Sequence, residues 1–399
     1  MIGTVLVARP DNAGGVLLAG PAVRAVAAGA REVVLLAGPH GRAAAELLPG
    51  VSRVVEWRTP WIDPSPPPMT GPHALRLLRT VQEVAPELAL ILTSFHQSPL
   101  PLALLLRLAG TPKTAAICAD YPGSLLDVCH VVDEEPDVPE AERMLGLARA
   151  AGFELPPGDA GALAVRRPLP EVGHLTGPPG YVVVHPGVSV PVRAWPAESW
   201  TRAVHDLVRA GWRVVVTGGP GERALTARVA GARRSGLSGR PAVPDGWTGR
   251  APLLDGPAQE TRLPRGAVQE ACSTPGPETE TGDGPVWESV TDLGGRTTFA
   301  ELAAVLAGAS VVVAANTGPA HLAAAVGTPV VSLFAPVVPA ARWAPYGVPS
   351  VVLGDQNAAC RGSRARLCPI AGHPCLSSVP SADVVEAVNR LAFAKEAVR

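Results

Sequence analysis

Asn316, Thr317, Gly318, Pro319 and His321 stand within six residues, in the stretch "NTGPAH". An amide, a hydroxyl, an unobstructed backbone N–H and an imidazole at this spacing make a compact set of hydrogen-bond donors. The flanking residues say how such a set would be held. Val311–Ala315 reads as a buried parallel strand, and Pro319 falls where a first helical turn tolerates a missing N–H. Ala320–Val326 reads as the helix, ended by Gly327, and Thr328–Phe334 as the next strand. A strand–corner–helix unit turns free N–H groups and the positive end of a helix toward whatever lies above the sheet, which favours an anion such as a diphosphate.

The same grammar runs through the chain. Apolar runs alternate with helical patterns: "TVLVA" then Val16–Ala28, "EVVLLAG" then Gly41–Leu48, "LALILTS" then Leu100–Ala109, then "AAICAD". It restarts at "GYVVVHPG", continues in "WRVVVTGG" and "SVVVAANTG", and finishes with "TPVVSLFAP". Such alternation implies βαβ units and parallel sheets, so the fold class is α/β with two doubly wound, Rossmann-like halves. A length of 399 residues suits two domains, and the Pro- and Gly-rich stretch "LPEVGHLTGPPG" is the natural border, giving domains over 1–172 and 180–399. Residues 233–286 have turn formers throughout and little periodicity, and are expected to be an insertion with local disorder. The last helix is expected over Ala382–Ala392.

Composition excludes several classes of function. The net charge of −1 gives no case for a nucleic-acid partner. Lysine occurs only at Lys113 and Lys395 while Arg, Ala, Gly and Pro abound, a coding bias that makes arginine content weak evidence of function. No segment approaches the roughly 20 apolar residues of a membrane span, and "MIGTVLVARP" starts directly as a strand. The expected location is the cytoplasm, with peripheral contact with a membrane compatible. Cys360, Cys368 and Cys375 cluster with His373, but not at the short paired spacings of zinc sites, so thiols and no metal are expected.

Ligands of doubly wound sheets sit beyond the carboxyl ends of the strands. Five loops there carry distinctive residues: "RPDNAGGVLLAGPAVRAV", "HPGVSVPVRAWPAESW", "TGGPGERAL", "LGGRTTFAEL" and "NTGPAHLAAAVGTPVVSLFAP". Together, in this order, they resemble glycosyltransferase family 9, the ADP-heptose:lipopolysaccharide heptosyltransferases and their relatives. The resemblance covers most of the chain outside the insertion. It implies a GT-B fold, two Rossmann-like domains facing across a cleft, with the acceptor mainly on the first and the nucleotide sugar on the second. It also implies a metal-independent, inverting transfer, with the nucleotide-diphosphate sugar as co-substrate, ADP-heptose by analogy, and a glycan or glycolipid acceptor.

On that resemblance, Thr317, Gly318 and His321 would donate to the diphosphate, with Asn316 and Pro319 shaping the corner. Arg193 would neutralise the charge growing on the leaving phosphate. Glu222 would hold the ribose hydroxyls, or else serve its helix's first turn, and Arg296 and Thr297 would lie near the base. Asn12, Gly14, Gly15, Ser94, His96 and Gln97 would line the acceptor side, while Trp195 and Trp200 pack the core. Two positions depart from the family pattern. Gly15 stands where the family carries an Asp, its expected general base, and Asn316 stands where it carries another Asp. Asp11, four residues earlier in the same loop, is the surrogate base, and restoring a carboxylate at Gly15 is expected to raise transfer. The alternatives are a nucleotide-sugar-binding protein with little transfer and, more distantly, a sugar-nucleotide epimerase.

Overall fold

Twelve strands form two separate parallel sheets in a computed structural model, which describes residues 1–135, 137–231 and 289–396. The expected insertion at 233–286 lies outside the described residues. The first sheet holds β1 (Ile2–Arg9), β2 (Ala30–Ala37), β3 (Arg53–Glu56), β4 (Leu88–Ile91), β5 (Thr114–Ile117) and β6 (Val128–His130), ordered β3-β2-β1-β4-β5-β6. The second holds β7 (Tyr181–His185), β8 (Val214–Val216), β9 (Val290–Asp292), β10 (Ala309–Ala315), β11 (Val330–Leu333) and β12 (Ser350–Leu353), ordered β12-β11-β10-β7-β8-β9. Counting strands from the start of each half, the two orders are the same. This is the doubly wound α/β arrangement expected from the sequence.

Helices on both faces explain why the central strands are unbroken apolar runs rather than alternating ones. Val5 to Ala8 in β1 and Val182 to Val184 in β7 are wholly buried. Trp195 and Trp200 pack edge to face, 5.1 Å between centroids, in the core of the second half as expected.

Three boundaries differ from the sequence reading. The helix expected over Val16–Ala28 is two helices, Ala13–Leu18 and Gly20–Gly29, because Pro21 has no N–H to continue a helix but suits the start of one. The second sheet does not finish at "TPVVSLFAP"; β12 adds an edge strand, and pairs in register from Val330↔Ser350 to Leu333↔Leu353. The C-terminal helix is longer than expected, Ser381–Glu396.

Candidate active site

In each sheet the strand order reverses between the first and fourth strands of its half, β1 beside β4 and β7 beside β10. A crevice opens beyond the carboxyl ends at such a switch point. The four loops that leave these strands line one cleft of about 730 Å³, shared by the two sheets' halves.

The wall built on β7 and β10 is rich in unused hydrogen-bonding capacity. Thr317 is the N-cap of the helix Gly318–Ala325, yet its hydroxyl makes no capping bond. Thr317 Oγ1, Asn316 Nδ2, His321 Nδ1 and Arg193 Nε are all buried without a partner among the described residues. Buried polar atoms are almost always paired, so these four, clustered on one wall, mark a place made for a polar ligand; Thr59 Oγ1 and Trp343 Nε1 are further unpartnered atoms on lining residues. Arg193 ends the short turn Pro191–Arg193 and anchors through Nη1 to the carbonyl of Asn316, at 3.1 Å. Burial lowers its pKa and Asp11 raises it. Burial, and then the charge of Arg193, lower His321 to about 4, so at neutral pH its imidazole is uncharged.

Glu222 and His185 complete this wall. The Glu222 carboxylate accepts from Gly219 N at 2.7 Å in a capping arrangement and lies 3.8 Å from His185 Nε2. It covers Gly187 so closely that a Cβ there would meet Glu222 Oε1 at 2.1 Å. Glu222 therefore serves its own turn while still lining the cleft. Arg296 and Thr297 are not among the cleft-lining residues; their loop sits beside the 218–222 loop, with Gly295 N donating to Gly218 O at 2.8 Å.

On the opposite wall, built on β1 and β4, the side chains around Asp11 satisfy one another, although Thr93 Oγ1 just after β4 has no partner among the described residues. Arg9, wholly buried at the end of β1, donates from Nη1 to Leu92 O at 2.9 Å and from Nη2 to Ser94 Oγ at 2.9 Å. It also pairs with Asp11 Oδ2 at 3.1 Å. Ser94 Oγ donates to the same Asp11 oxygen at 3.1 Å, and Asn12 N donates to Asp11 Oδ1 at 2.9 Å. Asn12 caps the helix Ala13–Leu18 by accepting from Gly15 N. Gln97 accepts from Ser94 N at 3.0 Å, and His96 stands exposed on the rim. Asp11, Asn12, Gly14, Gly15, Ser94, His96 and Gln97 all line the cleft.

Position 15 resolves in an unforeseen way. A Cβ on Gly15 would meet Asp11 Cγ and Oδ2 at 2.9 Å and Arg9 Nη2 at 3.0 Å. The carboxylate of Asp11 already occupies the space a side chain at 15 would enter. A carboxylate restored at 15 would require Asp11 to swing away from Arg9 and Ser94, so it would act against the network already present. Gly14 is equally confined, since its Cβ would lie 2.9 Å from His321 Cδ2 and 3.4 Å from Gly318 Cα.

Sequence reasoning missed several residues of the site. Arg9, buried behind the cleft, could have been flagged as a lone charge closing an apolar strand, and the lining residue His185 as a histidine closing another. Thr59, Asp63 and His40, from loops after β2 and β3, carry no such sign; Asp63 is held by Ser65 N and Arg58. Away from the cleft, Cys360 and Cys375 are buried free thiols and Cys368 is half-buried; burial and the neighbouring Cys360 push Cys375 up to about 11.

Comparison with known proteins agrees with this geometry. The model of glycosyltransferase family 9 (heptosyltransferase) matches residues 75–238 and 282–372. Lipopolysaccharide heptosyltransferase 3 of Escherichia coli is 31% identical over 142 residues, which span 35% of this chain and only 36% of that protein. Among solved structures, the E. coli ADP-heptose lipopolysaccharide heptosyltransferase II superposes with a TM-score of 0.67 at 17% identity, covering 98% of this chain and 99% of that one. A family 9 glycosyl transferase from Veillonella parvula gives 0.66 at 14% identity over 98% and 97%. The last two likenesses establish a shared fold.

Proposed function

Because the chain belongs to glycosyltransferase family 9, the heptosyltransferase family, we propose that its cleft moves a sugar from a nucleotide-diphosphate donor to a hydroxyl of a glycan or glycolipid acceptor. The observation that carries this reading is the set of four buried, unpartnered polar atoms on Arg193, Asn316, Thr317 and His321. They lie at a helix N-terminus, where backbone N–H groups and the helix dipole also favour an anion. A diphosphate would satisfy them, and the β7–β10 half is the donor side. The donor sugar is a heptose or close analogue, with ADP-heptose, named for solved relatives, as the first candidate.

Transfer proceeds in one inverting displacement. The acceptor oxygen attacks the anomeric carbon as its proton passes to Asp11; the bond from that carbon to the diphosphate oxygen breaks, and the electron pair leaves with the diphosphate. Arg193 meets the charge that grows on that oxygen, an interaction strongest in the transition state. We propose that these protein groups suffice without a metal ion. Arg9 and Ser94 act by positioning Asp11, fixing its carboxylate within reach of the cleft. The acceptor rests against Ser94, His96 and Gln97, and a lipid-linked acceptor would bring the protein to a membrane surface peripherally; no helix among the described residues is long and apolar enough to cross one.

The competing reading, a nucleotide-sugar-binding protein without transfer, draws on Gly15 and Asn316. The placement of Asp11 favours the enzyme. The experiment is to incubate the protein with a panel of nucleotide sugars, with and without glycan acceptors, and follow nucleotide release alongside donor binding by calorimetry. Acceptor-dependent release supports transfer. Tight donor binding with no release under any acceptor selects the binding protein.

A further inference from the structure

The segment Cys360–Cys368, "CRGSRARLC", carries Arg361, Arg364 and Arg366 and no acid. Its backbone is clamped to the donor half at three points. Gly362 N donates to Pro336 O at 2.9 Å, Arg364 N to Val337 O at 2.8 Å, and Val192 N to Arg366 O at 3.1 Å. The last of these ties it to the turn that bears Arg193. Arg364 is held at φ 55, a left-handed conformation that a side-chain-bearing residue keeps only where its surroundings impose it.

The loop is thus fixed while its charges are not. All three arginines are exposed, and among the described residues none of their guanidinium groups has a carboxylate or hydrogen-bond partner. Arg366 lines the cleft, and the Arg364 guanidinium stands 6.0 Å from the ring of Phe95, which belongs to the opposite wall. The buried arginines behind this cleft are neutralised, Arg9 by Asp11, Arg143 by Glu134, and Arg342 by Glu134 and Asp137, while the lining Arg193 is half-buried in the diphosphate corner. A guanidinium fork presented free at a cleft mouth suits bidentate binding of a phosphate or carboxylate.

We propose that Arg364 and Arg366, reinforced by the field of Arg361, form an anion subsite distinct from the diphosphate corner, and that it recognises a phosphate or carboxylate on the acceptor. The acceptor class is accordingly an anionic glycan. This rests on the cleft being the transfer site, with the donor in the corner of Asn316 to His321.

The test uses the full chain loaded with ADP, so that the diphosphate corner is filled. Glucose, glucose 6-phosphate and glucuronate are titrated by ligand-observed NMR against the native protein and Arg364→Gln/Arg366→Gln. The expected result is that one or both anionic sugars bind about tenfold more tightly than glucose, the worth of one charge-assisted contact. The variant should lose that advantage while its ADP affinity stays the same; the phosphate and carboxylate arms say which group is preferred. Equal binding of all three sugars, or an advantage that survives in the variant, overturns the proposal. Failure of ADP itself to bind removes ADP-heptose as the donor and leaves the subsite standing; the same titrations on ADP-free protein then decide the subsite alone.

Discussion

The two walls of the cleft are built on the same strand order and yet treat their polar groups oppositely. On the β1–β4 wall, Arg9, Asp11, Asn12 and Ser94 satisfy one another. On the β7–β10 wall, Arg193, Asn316, Thr317 and His321 hold buried atoms with nothing to bond. A pre-satisfied network holds one group in one place, which suits a base that must meet a proton at fixed geometry. A wall of orphans favours occupancy, because the ligand removes a desolvation cost that the empty site bears. One wall is arranged to position, the other to bind.

The comparison breaks most visibly at Asp11. Asp11→Asn should lower the transfer rate by about a thousandfold, within the range a general base contributes, while donor affinity by calorimetry hardly moves. Robust transfer by this variant would place the base elsewhere. Arg193→Ala should cost about a hundredfold in rate, since one preorganised contact to the developing charge is lost. Here the slope against leaving-group charge sharpens the assignment: donors with poorer leaving groups should suffer more.

Gly15→Asp tests whether the first wall is truly full. Overpacking beside Asp11 and Arg9 should destabilise the protein by about 1–3 kcal/mol in denaturant unfolding, with no gain in transfer. A faster enzyme would show that the loop has room the geometry denies.

The second wall has a pH signature. His321 falls to about 4 from an ordinary value of 6.5, by burial first, and His185 likewise to about 4 by burial against the opposing pull of Glu222. Above pH 6.5 both folded and unfolded chains leave these imidazoles neutral, so they contribute no pH dependence. Between 6.5 and about 4 the unfolded chain takes up protons that the folded one does not, so stability falls as pH falls, by roughly 1.4 kcal/mol per pH unit for each histidine. Thermal unfolding from pH 8 to 4 should show a plateau and then a decline, and His321→Gln should flatten part of the decline. The smallest effect is expected from a chelator, which should leave transfer unchanged; a rate lost to chelation and restored by a divalent cation would add a metal to the diphosphate wall.

The core strands and the corner of Asn316 to His321 were legible because burial on both sheet faces leaves continuous apolar runs, and because Pro319 and Gly327 punctuate the helix between them. The four strands that end the sheets, β3, β6, β9 and β12, were not anticipated. Each has three or four residues and is only half-buried, as "RVVE" and "SVVL" show, so neither alternation nor a long apolar run announces it. The site divides in the same way. Residues within one loop could be grouped from sequence, whereas His185, Asp63 and Arg366 join the cleft only through tertiary placement. The meaning of Gly15 was beyond sequence reasoning altogether, because it depends on where the side chain of Asp11 lies.

Gly14 and Gly318 bring the two walls together with no side chain between their backbones: a Cβ on Gly318 would stand 3.5 Å from Gly14 N. Side chains flex through rotamers, but two backbones with space for no more than a methyl group between them leave little room for further approach. The separation between the loop that bears Asp11 and the helix end that faces the diphosphate is then gauged by main chain alone. For a reaction in which a displacement of about 1 Å can cost a hundredfold in rate, such a limit acts as a calibrated spacer. A methyl group at Gly14, 2.9 Å from the buried His321 ring, would work as a shim, widening the gap across which the sugar has to travel.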